Sequence, residues 1–312
     1  MNILVVGGAG YVGGAVVTQL RNYSDCNVRV FDSLLYEDTY RREVPFILGD
    51  VRDRDALRKA LDGIDAVIWL AAIVGDGACT VDPEVTRDVN YRSLRTLRDL
   101  FDGQVVFTTT CSVYGANQGI LTEESEVSPL SLYAETKLRA EEILADRALM
   151  YRFGTLFGVG DQFTRLRLDL VVNTLTARAC TQGHIKVFGG DQYRPLLHVQ
   201  DAARMLIEGA YYNDVGTYNL HSQNVRIVDL AHQVRNHFED LEIESEEMSF
   251  EDSRNYRVSS QRARDHLGFE PVKTIDDGIL EVRDIVMNRI KDADDPRYSN
   301  HGFLLSQVKQ SQ

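Results

Sequence analysis

The chain has 312 residues, 44% of them hydrophobic, enough to bury a sizeable core, which argues against a disordered or fibrous protein. Its net charge of −13 sets the summed field against a phosphate backbone and argues against nonspecific nucleic-acid binding, while leaving room for a small anion in a locally basic pocket. Cys26, Cys79, Cys111 and Cys180 lack metal-ligand spacing and read as reduced thiols, and neither a leader-like start nor a membrane-length apolar run is present, so a cytoplasmic protein without a metal or a membrane partner is expected.

From the N-terminus, short apolar runs bounded by turn residues predict strands at 3–6, 28–31, 46–48, 66–70, 105–109 and 149–153. Between them Val12, Ala15, Val16 and Leu20, then Val85, Val89, Leu97 and Phe101, recur at helical spacing. Strand alternating with helix is the pattern of βαβ units and a parallel sheet, hence the α/β class. Beyond about residue 155 the pattern loosens, but 201–211 reads as helix and 216–220 as strand, both able to return to the sheet. Ile227, Leu230, Ala231, Val234 and Phe238, and then Ile275, Ile279, Val282, Ile285 and Val286, outline two amphipathic helices suited to a smaller C-terminal α/β lobe. The tail from Asp292 is polar and is expected to be loosely held. The expected organisation is a dinucleotide-binding domain over 1–160, rejoined by about 194–222, with the remainder of 161–312 forming a substrate lobe and ligands at the junction.

The first predicted strand runs into Gly8-Ala9-Gly10-Tyr11-Val12-Gly13, which fits G-x-G-x-x-G, and Gly7, Gly10 and Gly13 fit the related G-x-x-G-x-x-G spacing. Glycines there permit a tight turn and let a pyrophosphate approach backbone N–H groups at a helix N-terminus. Asp32 ends the second predicted strand, about 20 residues on, where a carboxylate accepts hydrogen bonds from ribose hydroxyls and repels a 2′-phosphate. Ser33-Leu34-Leu35 follows without an arginine, which favours NAD over NADP. Asp50 closes the third strand and is a candidate for the adenine edge. Together these features predict a Rossmann-type doubly wound parallel sheet.

Tyr133 and Lys137 stand four residues apart, hence on one face of a helix, after the strand that ends Thr108-Thr109-Thr110. With Gly7–Gly13, Asp32, Asp50 and the segment Phe107-Thr108-Thr109-Thr110-Cys111-Ser112-Val113-Tyr114-Gly115, the ordered set resembles the extended short-chain dehydrogenase/reductase family, specifically its NAD-dependent nucleotide-sugar epimerases and dehydratases. The run 194–201 and His266-Leu267-Gly268-Phe269-Glu270-Pro271 are similar to that family's later landmarks. The resemblance implies that Tyr133 is the general base toward a sugar hydroxyl, its pKa lowered by Lys137 and oxidised nicotinamide. It implies that Lys137 also holds the nicotinamide ribose and that Thr110 hydrogen-bonds the reacting oxygen. The implied cofactor contacts are Gly7, Gly10, Tyr11, Val12, Asp32, Asp50, Val51, Leu70, Ala71, Ala72, Thr108, Tyr133 and Lys137. For the substrate, a nucleotide-diphosphate sugar, they are Thr110, Asn173, Arg194 and Arg254. A homodimer through helices near 82–102 and 132–147 is a further implication of the resemblance.

The family's sugar 4,6-dehydratases place Asp-Glu directly after the catalytic Ser/Thr, whereas this chain has Cys111-Ser112; its 3,5-epimerases place a Cys where Ser112 stands. Cys111 therefore reads as packing. Chemistry that needs only Tyr, Thr, Lys and tightly bound NAD remains, and a nucleotide-sugar 4-epimerase fits it. A C4 dehydrogenase or ketoreductase of a nucleotide-activated hexose or heptose is the alternative, because the run 165–173 resembles a branch with heptose-modifying enzymes and Thr155 replaces the family's usual Asn. A non-catalytic NAD-sensing protein would retain the glycine turn but have no reason to keep Thr110, Tyr133 and Lys137 together.

Overall fold

The computed structural model describes residues 1–117, 119–246 and 255–310. Its centre is a seven-stranded sheet of β1 (Asn2–Val6), β2 (Asn27–Asp32), β3 (Phe46–Leu48), β4 (Ala66–Trp69), β5 (Gln104–Thr110), β6 (Ala148–Phe153) and β7 (Gly216–Leu220). The order is β7-β6-β5-β4-β1-β2-β3, with every neighbouring pair parallel. The strand segments therefore match the predicted ones to within a residue or so, and the stretch at 216–220 does return to the sheet.

Continuous apolar runs make these strands because both faces are covered. Successive side chains alternate sides: Ile3 and Val5 pack with helices Tyr11–Leu20 and Val199–Tyr211, while Leu4 and Val6 pack with helices Arg54–Leu61, Ser93–Leu100 and Leu132–Leu144. The chain runs outward from β1 through β2 and β3, then returns to place β4 on β1's other side. This reversal opens a crevice beyond the carboxyl ends of β1 and β4, where doubly wound sheets bind ligands.

A second cluster of elements stands beyond that crevice. Helices Val171–Gln182, Ile227–Arg235 and Ile275–Arg289 enclose Val172, Leu175, Leu230, Ala231, Ile275 and Ile279 around Phe157. A three-stranded sheet, Gln223–Arg226, Tyr193–His198 and Thr155–Phe157, carries the chain from the main sheet into it. Among the described residues, no helix is long and apolar enough to cross a membrane.

Two features depart from the sequence pattern. The tail expected to be loose is instead a 3-10 turn, Pro296–Tyr298, followed by a helix, Asn300–Gln310, that lies against helix Asp76–Val81. Polar and aromatic contacts hold it: Leu168 N–H donates to the Tyr298 carbonyl at 2.9 Å, Asn300 Nδ2 donates to the Val74 carbonyl at 2.9 Å, and the Phe303 ring sits 5.5 Å from Tyr36. Behind β5 and β6, moreover, Arg152 and Glu141 form a buried ion pair at 2.6 and 3.0 Å. Thr109 Oγ1 donates to the same carboxylate at 2.6 Å, and Arg152 Nη1 donates to the Tyr114 hydroxyl at 2.8 Å. Truncating Glu141 strands a buried guanidinium, so Glu141→Ala is expected to cost about 3–5 kcal/mol in urea unfolding; a loss below about 1 kcal/mol would contradict this account.

Candidate functional site

The cofactor end of the site begins where β1 stops. Gly7 takes φ +84°, and a Cβ there would come within 2.6 Å of the Ala71 nitrogen; a Cβ on Gly13 would come within 2.5 Å of the Gly7 carbonyl oxygen. These two glycines therefore serve close backbone packing. Gly10 differs, because its Cβ would meet only the Gly7 oxygen, at an ordinary 3.5 Å, and the residue lies on the cavity wall. A methyl group there takes ligand space rather than protein space. Gly10 also caps helix Tyr11–Leu20, whose first ladder bond runs from Gly14 N–H to the Gly10 carbonyl, so the N–H groups of Tyr11, Val12 and Gly13 remain for an anion. The expected result is that Gly10→Ala melts near the parent temperature yet binds NAD at least roughly tenfold more weakly, whereas Gly7→Ala loses the fold itself; calorimetric titration and thermal melting read the two effects.

Asp32 ends β2 on the cavity wall, accepting from Ala9 N–H at 2.9 Å and Leu34 N–H at 2.7 Å. Burial raises its pKa, opposed by those backbone donors. Each carboxylate oxygen keeps a further lone pair, so the residue ties the glycine turn to β2 and still offers acceptors to a ribose. Asp50 also lines the cavity, but its carboxylate is held by the Arg52 guanidinium at 2.6 to 3.1 Å, which keeps its pKa below the usual range. An adenine must share it with that arginine. Val51, Leu70, Ala71 and Ala72 complete this wall, with Leu70 and Ala71 N–H groups on the Val6 carbonyl. Tyr11 lines the cavity too, and its hydroxyl donates to the Gly158 carbonyl at 2.8 Å, its pKa pushed up by burial.

Deeper in the same cavity are the residues from β5 and helix Leu132–Leu144. Ser131 caps that helix, its Oγ accepting from Ala134 N–H at 3.3 Å, and the helical period sets Tyr133 and Lys137 on one face. Alternation along β5 distinguishes the three threonines, for Thr109 reaches back to Glu141 while Thr110 lines the cavity together with Tyr133. Thr110 Oγ1 also accepts from Ser112 N–H and donates to Ser112 Oγ, both at 3.1 Å. Lys137, 2% exposed, donates from Nζ to the Thr108 carbonyl at 2.8 Å. Desolvation brings its pKa down to about 8.

The expected lowering of the Tyr133 phenol by Lys137 is not found in the protein alone. Burial raises that pKa, and the cation that opposes it is Arg167, with the nearby Thr110 hydroxyl acting in the same downward sense. Lys137 is instead drawn onto the Thr108 carbonyl and the Phe107 ring, whose centroid is 4.8 Å from Nζ.

The substrate residues fare unevenly. Arg194 lines the cavity, 6% exposed, with Nη1 on the Tyr193 carbonyl at 3.0 Å. Asn173 does not reach it. Its amide is buried in the wall behind, accepting from Gly158 N–H at 3.0 Å and donating to the Gly158 and Arg167 carbonyls at 3.1 and 3.0 Å, because that turn's backbone groups need partners. Arg254 lies outside the described residues. Cys111 is fully buried, as read, with Sγ on the Arg152 carbonyl at 3.2 Å.

Several cavity residues escaped the motif reading, namely Arg165, Arg167, Asp169, Tyr256, Asn300 and His301. The first three carried a signal in the alternation Arg165-Leu166-Arg167-Leu168-Asp169, in which the leucines enter an apolar cluster with Val282 and Val286 and the charges turn the other way. The whole cavity measures about 1000 Å³, the upper end of the roughly 300–1,000 Å³ usual for a ligand pocket.

A family model described as the NAD dependent epimerase/dehydratase family matches residues 3–219. A UDP-glucose 4-epimerase of Lacticaseibacillus casei is 27% identical over 317 residues, covering 90% of this chain and 95% of its own. The structure of MoeE5 in complex with UDP-glucose and NAD superposes with a TM-score of 0.78 at 26% identity, covering 93% of this chain and 99% of that one. The UDP-glucuronic acid 4-epimerase of Bacillus cereus, at 21% identity and a TM-score of 0.79 over 92% of this chain and 99% of its own, shares the fold.

Proposed function

Since the chain belongs to the NAD-dependent epimerase/dehydratase family, and its cofactor is accordingly NAD, we propose that it is a nucleotide-sugar 4-epimerase. The observation that carries this reading is one continuous cavity lined by the glycine turn and Asp32, by Thr110, Tyr133 and Lys137, and by Arg194. Bound NAD supplies the two-electron acceptor that takes hydride from the sugar and gives it back. The protein's part is proton handling and orientation. As a phenolate, which the positive charge of bound oxidised nicotinamide would favour against the effect of burial, Tyr133 accepts the proton of the C4 hydroxyl as the C4–H bond breaks, and Thr110, on the same cavity wall, steadies the same oxygen. Lys137 fixes the helix face that presents Tyr133 and offers its ammonium to a ribose hydroxyl. Arg194 meets the diphosphate, as a guanidinium suits phosphate oxygens. The 4-keto sugar turns within the cavity and receives hydride on its other face, while Tyr133 returns the proton.

Positions 111 and 112 support epimerisation over dehydration, because a sulfur sealed in the core and a serine hydroxyl offer no carboxylate acid–base pair for eliminating water. A second reading, C4 dehydrogenation or keto reduction of a hexose or heptose, draws support from the charged run 165–169 on the cavity wall. Incubation with UDP-, GDP- and dTDP-hexoses and heptoses, followed by NMR, separates the two. Inverted C4 without net absorbance change at 340 nm is expected, and stoichiometric cofactor reduction or oxidation would overturn the epimerase in favour of the second reading.

A further inference from the structure

Resting on the reading of the cavity as a nucleotide-sugar site, we propose that Arg167 contacts the sugar through an acceptor oxygen, and that Asn300 of the C-terminal segment positions it there. Arg167 is 9% exposed and lines the cavity. Two of its nitrogens are spent on Asp169, Nε at 2.6 Å and Nη2 at 3.1 Å, whereas Nη1 has no hydrogen-bond partner among the described residues. A guanidinium brought this far out of water and left with free donors on a cavity wall is suited to an oxygen-rich ligand. The Asp169–Asn300 pair that holds it is tied to the Val74 carbonyl, next to Ile73, which packs with Tyr133, so Arg167 stands toward the reacting end of the cavity.

The neighbouring Arg165 is otherwise engaged. Its Nη1 donates to the Arg297 carbonyl at 2.6 Å, its Nη2 to Asn300 Oδ1, and its guanidinium lies 4.9 Å from the Tyr36 ring centroid and 5.8 Å from that of Phe303. Asn300, 3% exposed, joins the parts: its side chain bonds Arg165 and the Val74 carbonyl, and its backbone N–H donates at 2.9 Å to Asp169 Oδ2, the oxygen that also holds Arg167 Nη2. The segment thus clamps Asp169, and Asp169 aims Arg167. Asn300 acts through these groups and is a positioning residue.

Calorimetric titration of the full chain with NAD, UDP, UDP-glucose, GDP and GDP-mannose tests the assignment. In the parent protein one sugar nucleotide should bind more tightly than its bare diphosphate; absence of any such increment would defeat the nucleotide-sugar reading itself. Given that increment, Arg167→Gln should weaken the sugar nucleotide roughly ten- to a hundredfold, the range for a hydrogen bond to a charged group, and shift the bare diphosphate and NAD less than about twofold. Arg167→Lys preserves the pairing with Asp169 should the first variant not fold, and it should lose most of the increment because an ammonium cannot both grip Asp169 and extend a second donor. Asn300→Ala should reduce the increment to a smaller degree with NAD and diphosphate affinity kept, a selectivity that general loosening of the fold does not produce. An increment undiminished in folded Arg167→Gln or Arg167→Lys would overturn the contact while leaving the parent reading intact; equal weakening of all ligands in Asn300→Ala would overturn its positioning role.

Discussion

Replacing Tyr133 by Phe is expected to lower kcat on the preferred sugar nucleotide by about a thousandfold, within the ~10²–10⁴ that a positioned proton acceptor contributes. Under the proposed reading the phenol is the group that moves the proton; it lines the cavity with Thr110, and the Arg167 charge opposes the rise that burial imposes on its pKa. Phe keeps the ring and its packing against Ile73, Ala78 and Cys79. NAD affinity and melting temperature should therefore stay close to parental values, and the loss should sit in kcat rather than KM. A variant retaining more than about a tenth of the parental rate would remove Tyr133 from the proton-transfer step.

Lys137→Met should also abolish turnover, yet make the protein harder to unfold at pH 7. Burial brings the ammonium down to about 8 from the 10.5 of a free lysine, which corresponds to about 3 kcal/mol of disfavoured charge in the folded state. Methionine removes that penalty and forfeits the bond to the Thr108 carbonyl, for a net gain of about 1–2 kcal/mol. The pH dependence follows from the same depression. Between about pH 8 and 10.5 the folded parent has released a proton that the unfolded chain still binds, so the parent gains stability as pH rises through that window. The variant lacks this gain, so the two stabilities should converge and then cross within the window, leaving the parent the more stable by pH 10. Urea titrations at pH 7 and pH 10 check both statements; a less stable variant at pH 7 would show that the Thr108 bond outweighs desolvation.

What the sequence revealed and what it concealed divide along the range of the interactions. Strands such as Asn2–Val6 and Ala148–Phe153 announce themselves because both sides of the sheet are apolar, and the Gly7–Gly13 turn because steric need and chain position coincide. Tyr133 and Lys137 were legible because one helical period separates them. The tail was not, since its anchors are single polar and aromatic contacts to partners more than about 100 residues away, such as Asn300 to Asp169, that leave no local periodicity. Asn173 shows the same limit in reverse: its neighbours Val171 and Thr174 line the cavity, but an amide serves equally to satisfy buried backbone, and only three-dimensional placement shows that its donors are consumed by Gly158 and Arg167. The electrostatic state of Tyr133 was hidden too, because desolvation depends on everything packed around a group rather than on its nearest charged neighbour in sequence.

The anchoring of Asn300 against residues from the middle of the chain also bears on the order of events at the ribosome. Translation at ~5–20 residues per second delivers the glycine turn roughly 15–60 s before Asn300. A nascent chain can thus assemble its dinucleotide cradle well ahead of the Asn300–Asp169 clamp, so the Arg167 side of the cavity is the last part to be completed.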